Sequence, residues 1–146
     1  MTERFAYDAG LDPPAPVIPV RISSPVGDDA VMIPMLVDTG ADGTLVPASV
    51  VRGLGLPRID VTLLTGLGGA KEQATVHAAA IQLGGLRVLA RVVAFADEAI
   101  LGRDILNQVV VTLDGPGLAM SITDRARARR RKRAPAGQRS RRPRVV

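Results

Sequence analysis

Apolar residues occur along the chain in short runs, and turn-forming Gly, Pro and Asp residues interrupt these runs at intervals of roughly ten residues. This rhythm is typical of an all-β domain with few helices. The pattern predicts strands at Val17–Ser23, Val31–Val37, Asp60–Thr65, Gln73–Leu83, Leu86–Phe95, Val109–Leu113 and Leu118–Ile122.

Turn-forming residues mark the connections between these strands. Gly66–Ala70 is rich in glycine and lies between two strands, so it predicts the tip of a β-hairpin. Asp114–Gly117 predicts the turn of a final hairpin. Pro47–Gly53 has proline at a plausible first helical position and glycine at its end, which favours one or two helical turns, and Gly102–Gln108 is also compatible with a short helix. Pro19 indicates that its strand lies near a sheet edge.

The amino-acid composition limits the kinds of binding and catalytic site that the protein can have. The chain is 47% hydrophobic, and Phe5, Tyr7 and Phe95 are its only aromatic residues. The core is therefore predicted to be aliphatic, and binding of nucleic acid through stacked aromatic side chains is not expected. Without cysteine the protein has no disulfide, thiol nucleophile or cysteine-bound zinc, and His77 alone cannot form a histidine metal site. We expect no metal and no cofactor, and we interpret His77 as an ordinary strand residue.

The net charge of +5 is the sum of two regions of opposite charge. Residues 125–146 carry 11 of the 19 basic residues and no acid, which leaves eight basic and 14 acidic residues in the rest, a net charge of −6. Blocks of like charge with Pro and Gly do not bury enough apolar surface to fold, so we predict a disordered basic tail. The tail either contacts nucleic acid or another anionic surface, or serves only as a solvated extension.

The remaining chain divides into an N-terminal extension, residues 1–15, and one domain, residues 16–124. Met1–Leu11 contains no apolar run of signal-peptide length, and nowhere does the chain have the about 18 consecutive apolar residues that a membrane span needs. We therefore expect a soluble protein with no transmembrane segment and a cytoplasmic location.

The candidate catalytic residues lie in Leu36–Asp42, which has the sequence Leu-Val-Asp-Thr-Gly-Ala-Asp. Asp38 ends an apolar strand, and the small residues after it leave room for water and a peptide backbone. One carboxylate is a poor catalyst of amide hydrolysis, whereas two at about 3 Å share a proton and act as acid and base. The chain contains one such motif, so a two-fold symmetric dimer is the way to pair Asp38 with a second copy of itself.

Two segments together resemble a known family. Leu36–Val46, with the sequence LVDTGADGTLV, and Ala99–Leu106, with the sequence AILGRDIL, are similar to the paired signature of retropepsin-like (retroviral-type) aspartic proteases of the cellular or bacterial branch. The resemblance extends over roughly Pro16–Ile122. It implies an all-β homodimer in which each subunit is an acid-protease β-barrel with a flap hairpin and one short C-terminal helix.

The resemblance also implies residue roles. Asp38 is the expected catalytic acid or base, Thr39 braces the two active-site loops across the dimer axis, and Gly40 meets the substrate backbone through its carbonyl. Asp42 and Arg103 form an expected structural ion pair, and Val37, Ile100 and Leu101 are expected in the core rather than in pocket walls. The residues assigned to binding of the peptide or protein substrate are Ala41, Asp42, Gly66, Leu67, Gly68 and Gly69, the last four forming the flap tip.

Two functions follow from these observations. The first is an aspartic endopeptidase that hydrolyses peptide bonds with Asp38 from two subunits. The alternative is a catalytically silent dimerisation or peptide-binding module, docked by its basic tail to nucleic acid or membrane. The intact Asp38-Thr39-Gly40 motif favours the first, because a module that only binds gains nothing from two adjacent carboxylates.

Overall fold

The computed structural model describes residues 2–124. The disorder predicted for the basic tail lies outside the described residues. The elements are β1 (Thr2–Ala6), β2 (Val17–Ser23), β3 (Ala30–Val37), β4 (Thr44–Val46), α1 (Ala48–Gly53), β5 (Arg58–Thr65), β6 (Lys71–Leu83), β7 (Leu86–Ala94), β8 (Ile100–Leu101), α2 (Arg103–Leu106), β9 (Val109–Asp114) and β10 (Ala119–Asp124).

Every strand predicted from the hydrophobic pattern is present, and the all-β class is confirmed. Both short helices are present within the predicted segments: α1 begins one residue after Pro47, and α2 is one turn long. Three strands were not predicted. β4 and β8 have only three and two residues, and β1, with the sequence TERFA, is too polar to give an apolar run.

The larger sheet closes into a barrel. Its strand order is β2-β3-β8-β4-β7-β6-β5, and a further pairing of β2 with β6 joins the ends of the ring while β5 stays attached to β6. β6 reaches β2 only between Arg21 and Ser23, so the first half of β2 has β3 as its neighbour and the exposed Pro19 lies there. Proline has no N–H to donate, so it is tolerated on the side of a strand where no neighbour needs that hydrogen bond.

Aliphatic side chains fill the barrel, as the composition predicts. Alternate residues of β2 point inward and are fully buried, in keeping with the two-residue period of a strand. They pack against residues from the other barrel strands, and the fully buried large members are Ile18, Val20, Ile22, Met35, Val46, Ile81, Leu83, Val92 and Leu101.

A second sheet with the order β1-β10-β9 packs against this core through Met120 and Ile122. β1 pairs with β10 from Thr2 opposite Thr123 to Ala6 opposite Ala119. β9 pairs with β10 on one side and forms an edge of this sheet.

The strand β8 determines where the candidate site lies. It runs parallel to β3, with Val37 opposite Leu101, and antiparallel to β4, with Leu45 opposite Ile100. The chain from Asp38 to Thr44 therefore crosses the end of β8 on its way from β3 to β4. Val37 and Leu101 are buried beneath it, in agreement with their predicted place in the core.

Candidate active site

Asp38 directly follows β3, and its backbone and side chain are both held. Its N–H donates to the carbonyl of Leu101 at 3.1 Å, and its carbonyl accepts from the N–H of Ala41 at 3.2 Å. Its Oδ1 atom accepts a hydrogen bond from the N–H of Gly40 at 2.8 Å. The aspartate is half-buried, while Thr39 and Gly40 are exposed. The carboxylate thus has a fixed direction and remains open to solvent.

The absence of a side chain at Gly40 is part of this arrangement. A Cβ at Gly40 would lie 3.0 Å from the Oδ1 atom of Asp38, closer than side chains normally approach. Glycine therefore lets the backbone N–H come within hydrogen-bond distance of the carboxylate.

Arg103, the first residue of α2, contacts the loop at three points. Its N–H donates to the carbonyl of Ala41 at 2.9 Å, its Nη1 donates to the carbonyl of Thr39 at 2.8 Å, and its Nη2 forms an ion pair with the Asp42 carboxylate. The structure thus brings Asp42 and Arg103 together. The side chains are 44% exposed for Arg103 and 92% for Asp42, so water screens the ion pair.

Thr44, which the sequence analysis includes in the segment Leu36–Val46 without assigning it a role, forms a buried connection between the loop and α2. Its Oγ1 donates to Asp104 Oδ1 at 2.8 Å and accepts from the N–H of Gly102 at 3.1 Å, and its own N–H donates to Asp104 Oδ2 at 3.3 Å. Asp104 also accepts from the N–H of Ile105 at 3.0 Å. The only signal for this contact in the sequence is a hydroxyl residue at the head of the apolar run Thr44–Val46.

The hairpin of β5 and β6 carries the predicted flap tip. Its turn contains a short 3-10 segment, Leu67–Gly69, and Gly68 and Gly69 have φ angles of +81° and +80°. The N–H of Gly66 donates to the carbonyl of Ala70 at 2.8 Å. Leu67 is fully exposed. Within residues 2–124 the structure records no hydrogen bond from this tip to Asp38–Thr44, the predicted catalytic loop, although the sequence predicts substrate contacts for both.

Two titratable groups near the base of the flap hairpin have structural partners. His77 Nδ1 lies 2.8 Å from the carbonyl of Leu56, and its Nε2 lies 2.9 Å from Thr75 Oγ1, so both ring nitrogens are satisfied. Asp60 forms an ion pair of 2.6 Å with Arg91. The hydrogen bond from the Val61 N–H, and then the Arg91 guanidinium, lower the pKa of the Asp60 carboxyl.

The described part of the chain contains no group of three or more His, Asp or Glu side chains placed to hold a metal ion. None of its helices has the length and apolar character needed to span a membrane.

Comparisons with known proteins agree with this geometry. Residues 18–114 match the family described as aspartyl protease, and this match covers more than half of the chain. The protein therefore belongs to the aspartyl protease family. No curated protein matches its sequence.

Two solved structures are similar in fold. EIAV protease in complex with the inhibitor HBY-793 is 26% identical with a TM-score of 0.50, over 64% of this chain and 86% of that one. A retropepsin-like aspartic protease from Rickettsia conorii is 14% identical with a TM-score of 0.56, over 84% of this chain and 90% of that one. The retropepsin-like fold, with a bacterial protein among its neighbours, is thereby confirmed.

Proposed function

We propose that the protein is an aspartic endopeptidase whose active site consists of Asp38 from two copies of the chain. The observation that carries this proposal is the setting of Asp38. Its backbone is fixed to β8, one carboxylate oxygen is held by the N–H of Gly40, and the small exposed residues beside it leave access for a substrate.

Hydrolysis of an amide by this group requires a partner. Two carboxylates about 3 Å apart cannot both ionise and therefore share one proton, an effect for which aspartic proteases are themselves the standard example. The ionised carboxylate takes a proton from water as the water oxygen attacks the peptide carbonyl carbon. The protonated one gives its proton to the carbonyl oxygen. In the second step the carboxyl group that took the water proton gives it to the amide nitrogen, the other carboxylate takes a proton from a hydroxyl of the tetrahedral intermediate, and the C–N bond breaks as the amine leaves. Since the sequence holds one Asp-Thr-Gly, the partner comes from a second chain.

The edge of β9 is the surface that best suits this second chain. Val110 and Leu113 are 48% and 52% exposed along it. An exposed apolar edge strand readily pairs with another strand. Pairing of β9 with β9 of a second copy would join three strands from each chain into one sheet. β9 follows α2 along the chain, and Arg103 of α2 is bonded to the loop that carries Asp38, so pairing at this edge would connect the loops of the two copies through α2.

The flap hairpin and the catalytic loop would enclose the substrate between them. An extended peptide offers N–H and C=O groups on both sides, which suits pairing with exposed backbone of Gly40 below and of the flap tip above. Closure of the flap over the peptide would exclude water from the carboxylates. In this arrangement Ala41 and Asp42 lie beside the peptide at the level of the catalytic loop.

Cleavage of a mixed peptide library at several pH values tests the proposal. We expect the wild-type protein to cleave peptides and Asp38→Asn to lose at least about a thousandfold of this activity, since an amide cannot act as the base. Asp28→Asn is the matched control, because Asp28 lies in the exposed turn between β2 and β3.

Sedimentation of the same three proteins reports the oligomeric state. Dimers with activity that is lost only in Asp38→Asn support the shared dyad. Dimers without cleavage in any variant would instead favour the silent binding module, and an active monomer would contradict the dyad.

The basic tail stays a prediction of the sequence. If it contacts nucleic acid or another anionic surface, its deletion should remove that binding and leave peptide cleavage intact, because the residues of the proposed site lie between 38 and 103.

A further inference from the structure

We infer that Thr44 is a positioning residue that fixes the catalytic loop, and that its buried hydroxyl does so to a greater extent than the exposed Asp42–Arg103 ion pair. The inference rests on the proposed function only for its effect on catalysis. The fixing of the loop itself is a property of the fold.

The hydroxyl of Thr44 has no solvent access and both donates and accepts a hydrogen bond. The residue is 0% exposed, its Oγ1 donates to Asp104 Oδ1 at 2.8 Å, and the same oxygen accepts from the Gly102 N–H at 3.1 Å. The Asp104 carboxylate is bonded in addition to the N–H of Thr44. One side chain thus joins β4 to the residues on both sides of the start of α2.

Loss of this hydroxyl would leave a buried donor without an acceptor. Gly102 is buried, and a Cβ placed on it would lie 2.3 Å from the carbonyl oxygen of Gly43. Because both Gly102 and Thr44 are buried, solvent does not reach this N–H to replace the lost acceptor. An unsatisfied buried N–H is costly, whereas an exposed one is hydrated.

The Asp42–Arg103 ion pair differs from the Thr44 hydroxyl because it is exposed and because its loss leaves no buried group unsatisfied. Its side chains are 44% and 92% exposed, so water replaces either partner when the other is removed. The Arg103 backbone N–H, which bonds to Ala41, is unaffected by a change at Asp42.

The hydroxyl acts on Asp38 through the backbone. At one end of the loop Asp38 N–H is bonded to Leu101, and at the other end Thr44 is bonded to Gly102, the next residue along. With both ends attached to adjacent residues, the direction of the Asp38 carboxylate is set. A displacement of about 1 Å of a catalytic group costs on the order of 100-fold in rate.

Amide hydrogen exchange and peptide cleavage in variants of the full chain test the inference. Thr44→Val keeps the shape and removes the hydroxyl, and we expect exchange at Gly102 and through residues 39–44 to accelerate at least about tenfold. We expect kcat to fall by about 10- to 100-fold with KM within about twofold of wild type. Thr44→Ser, which keeps the hydroxyl, should restore both quantities.

Two further variants provide the comparison. Asp42→Asn removes the charge of the exposed pair and should change exchange in the loop less than Thr44→Val does. Thr123→Val is the matched control, because Thr123 lies on β10 and its hydroxyl has an exposed contact with Thr2. It should leave exchange in the catalytic loop at the wild-type rate.

Wild-type exchange in Thr44→Val, or a greater loosening of the loop in Asp42→Asn, would overturn the inference. If Thr44→Val does not fold, Asp104→Asn replaces it. Because asparagine keeps one acceptor oxygen, Asp104→Ala is compared with it: alanine removes the acceptors of both the Thr44 N–H and the Thr44 hydroxyl at an exposed residue, and it should accelerate exchange at Thr44 more than Asp104→Asn does, whereas unchanged exchange in Asp104→Ala would overturn the inference. If the wild-type protein cleaves no peptide, the exchange result still decides the role of Thr44, and only the proposed function fails.

Discussion

The proposed catalytic loop, Asp38–Thr44, and the flap tip, Gly66–Ala70, differ in where their hydrogen bonds go. The loop is bonded mainly to Leu101–Asp104, a segment about 60 residues further along the chain. The recorded hydrogen bonds of the flap tip join its own residues. The loop is therefore part of the cooperative core, whereas the tip opens at little cost to the rest of the fold. A protease needs both properties, because the acid must stay in place while the cover admits the peptide.

The largest expected effect comes from disturbing the contact between the catalytic loop and β8. In Gly102→Ala the new Cβ would lie 2.3 Å from the carbonyl oxygen of Gly43, so the backbone must move. We expect the free energy of unfolding to fall by about 3 kcal/mol. Denaturation in urea at a fixed protein concentration measures it, because dimerisation makes stability depend on concentration.

Gly53→Ala is the control for this substitution. Gly53 ends α1 and has open space around its Cα, so alanine there should be neutral or stabilising by up to about 1 kcal/mol. Equal losses of stability in the two variants would mean that the loop and β8 are not closely packed.

A change in the flap tip should affect the binding of peptides more than the stability of the fold. Gly68 has a φ of +81°, a left-handed conformation that costs an alanine about 1 to 2 kcal/mol. Since the tip opens locally, we expect Gly68→Ala to lower the free energy of unfolding by no more than about 1 kcal/mol and to raise KM for peptides severalfold. Steady-state kinetics together with urea denaturation separate the two quantities.

Gly66→Ala is the matched control within the same turn. Gly66 has a φ of −87°, and its Cβ would have Ala70 O at 3.9 Å as its nearest neighbour, so alanine fits without strain. Should both variants raise KM equally, the left-handed conformation of Gly68 would not be the cause.

The difference between local and long-range hydrogen bonds also explains how much of the fold and of the candidate site was predictable from the sequence. The hairpin tip has a local signal, because glycines between two apolar runs determine a turn, and Asp38 has a local motif. The Thr44–Asp104 bond joins residues 60 apart, and the Thr2–Thr123 contact between β1 and β10 joins residues 121 apart. A hydrophobic pattern contains no information on such partners. The fold class and family were therefore predictable, while the roles of individual site residues stay predictions.

The base of the flap hairpin should give the smallest effect. Asp60 on β5 is bonded to Arg91 on β7, which ties the hairpin to the barrel, and the Val61 N–H also bonds to this carboxylate. Because both contacts lower the pKa of Asp60 below its ordinary 3.8, their stabilisation is present above that pH and is lost as the pH falls through the lower value. We expect Arg91→Gln to raise the pKa only in part, since the Val61 N–H, the larger cause, is retained. Titration of the Asp60 carboxyl carbon by NMR measures the change, and Arg87→Gln on the same strand should leave the midpoint unchanged. A full return to the ordinary pKa in Arg91→Gln would mean that the arginine, and not the local N–H, determines how the base of the flap is held.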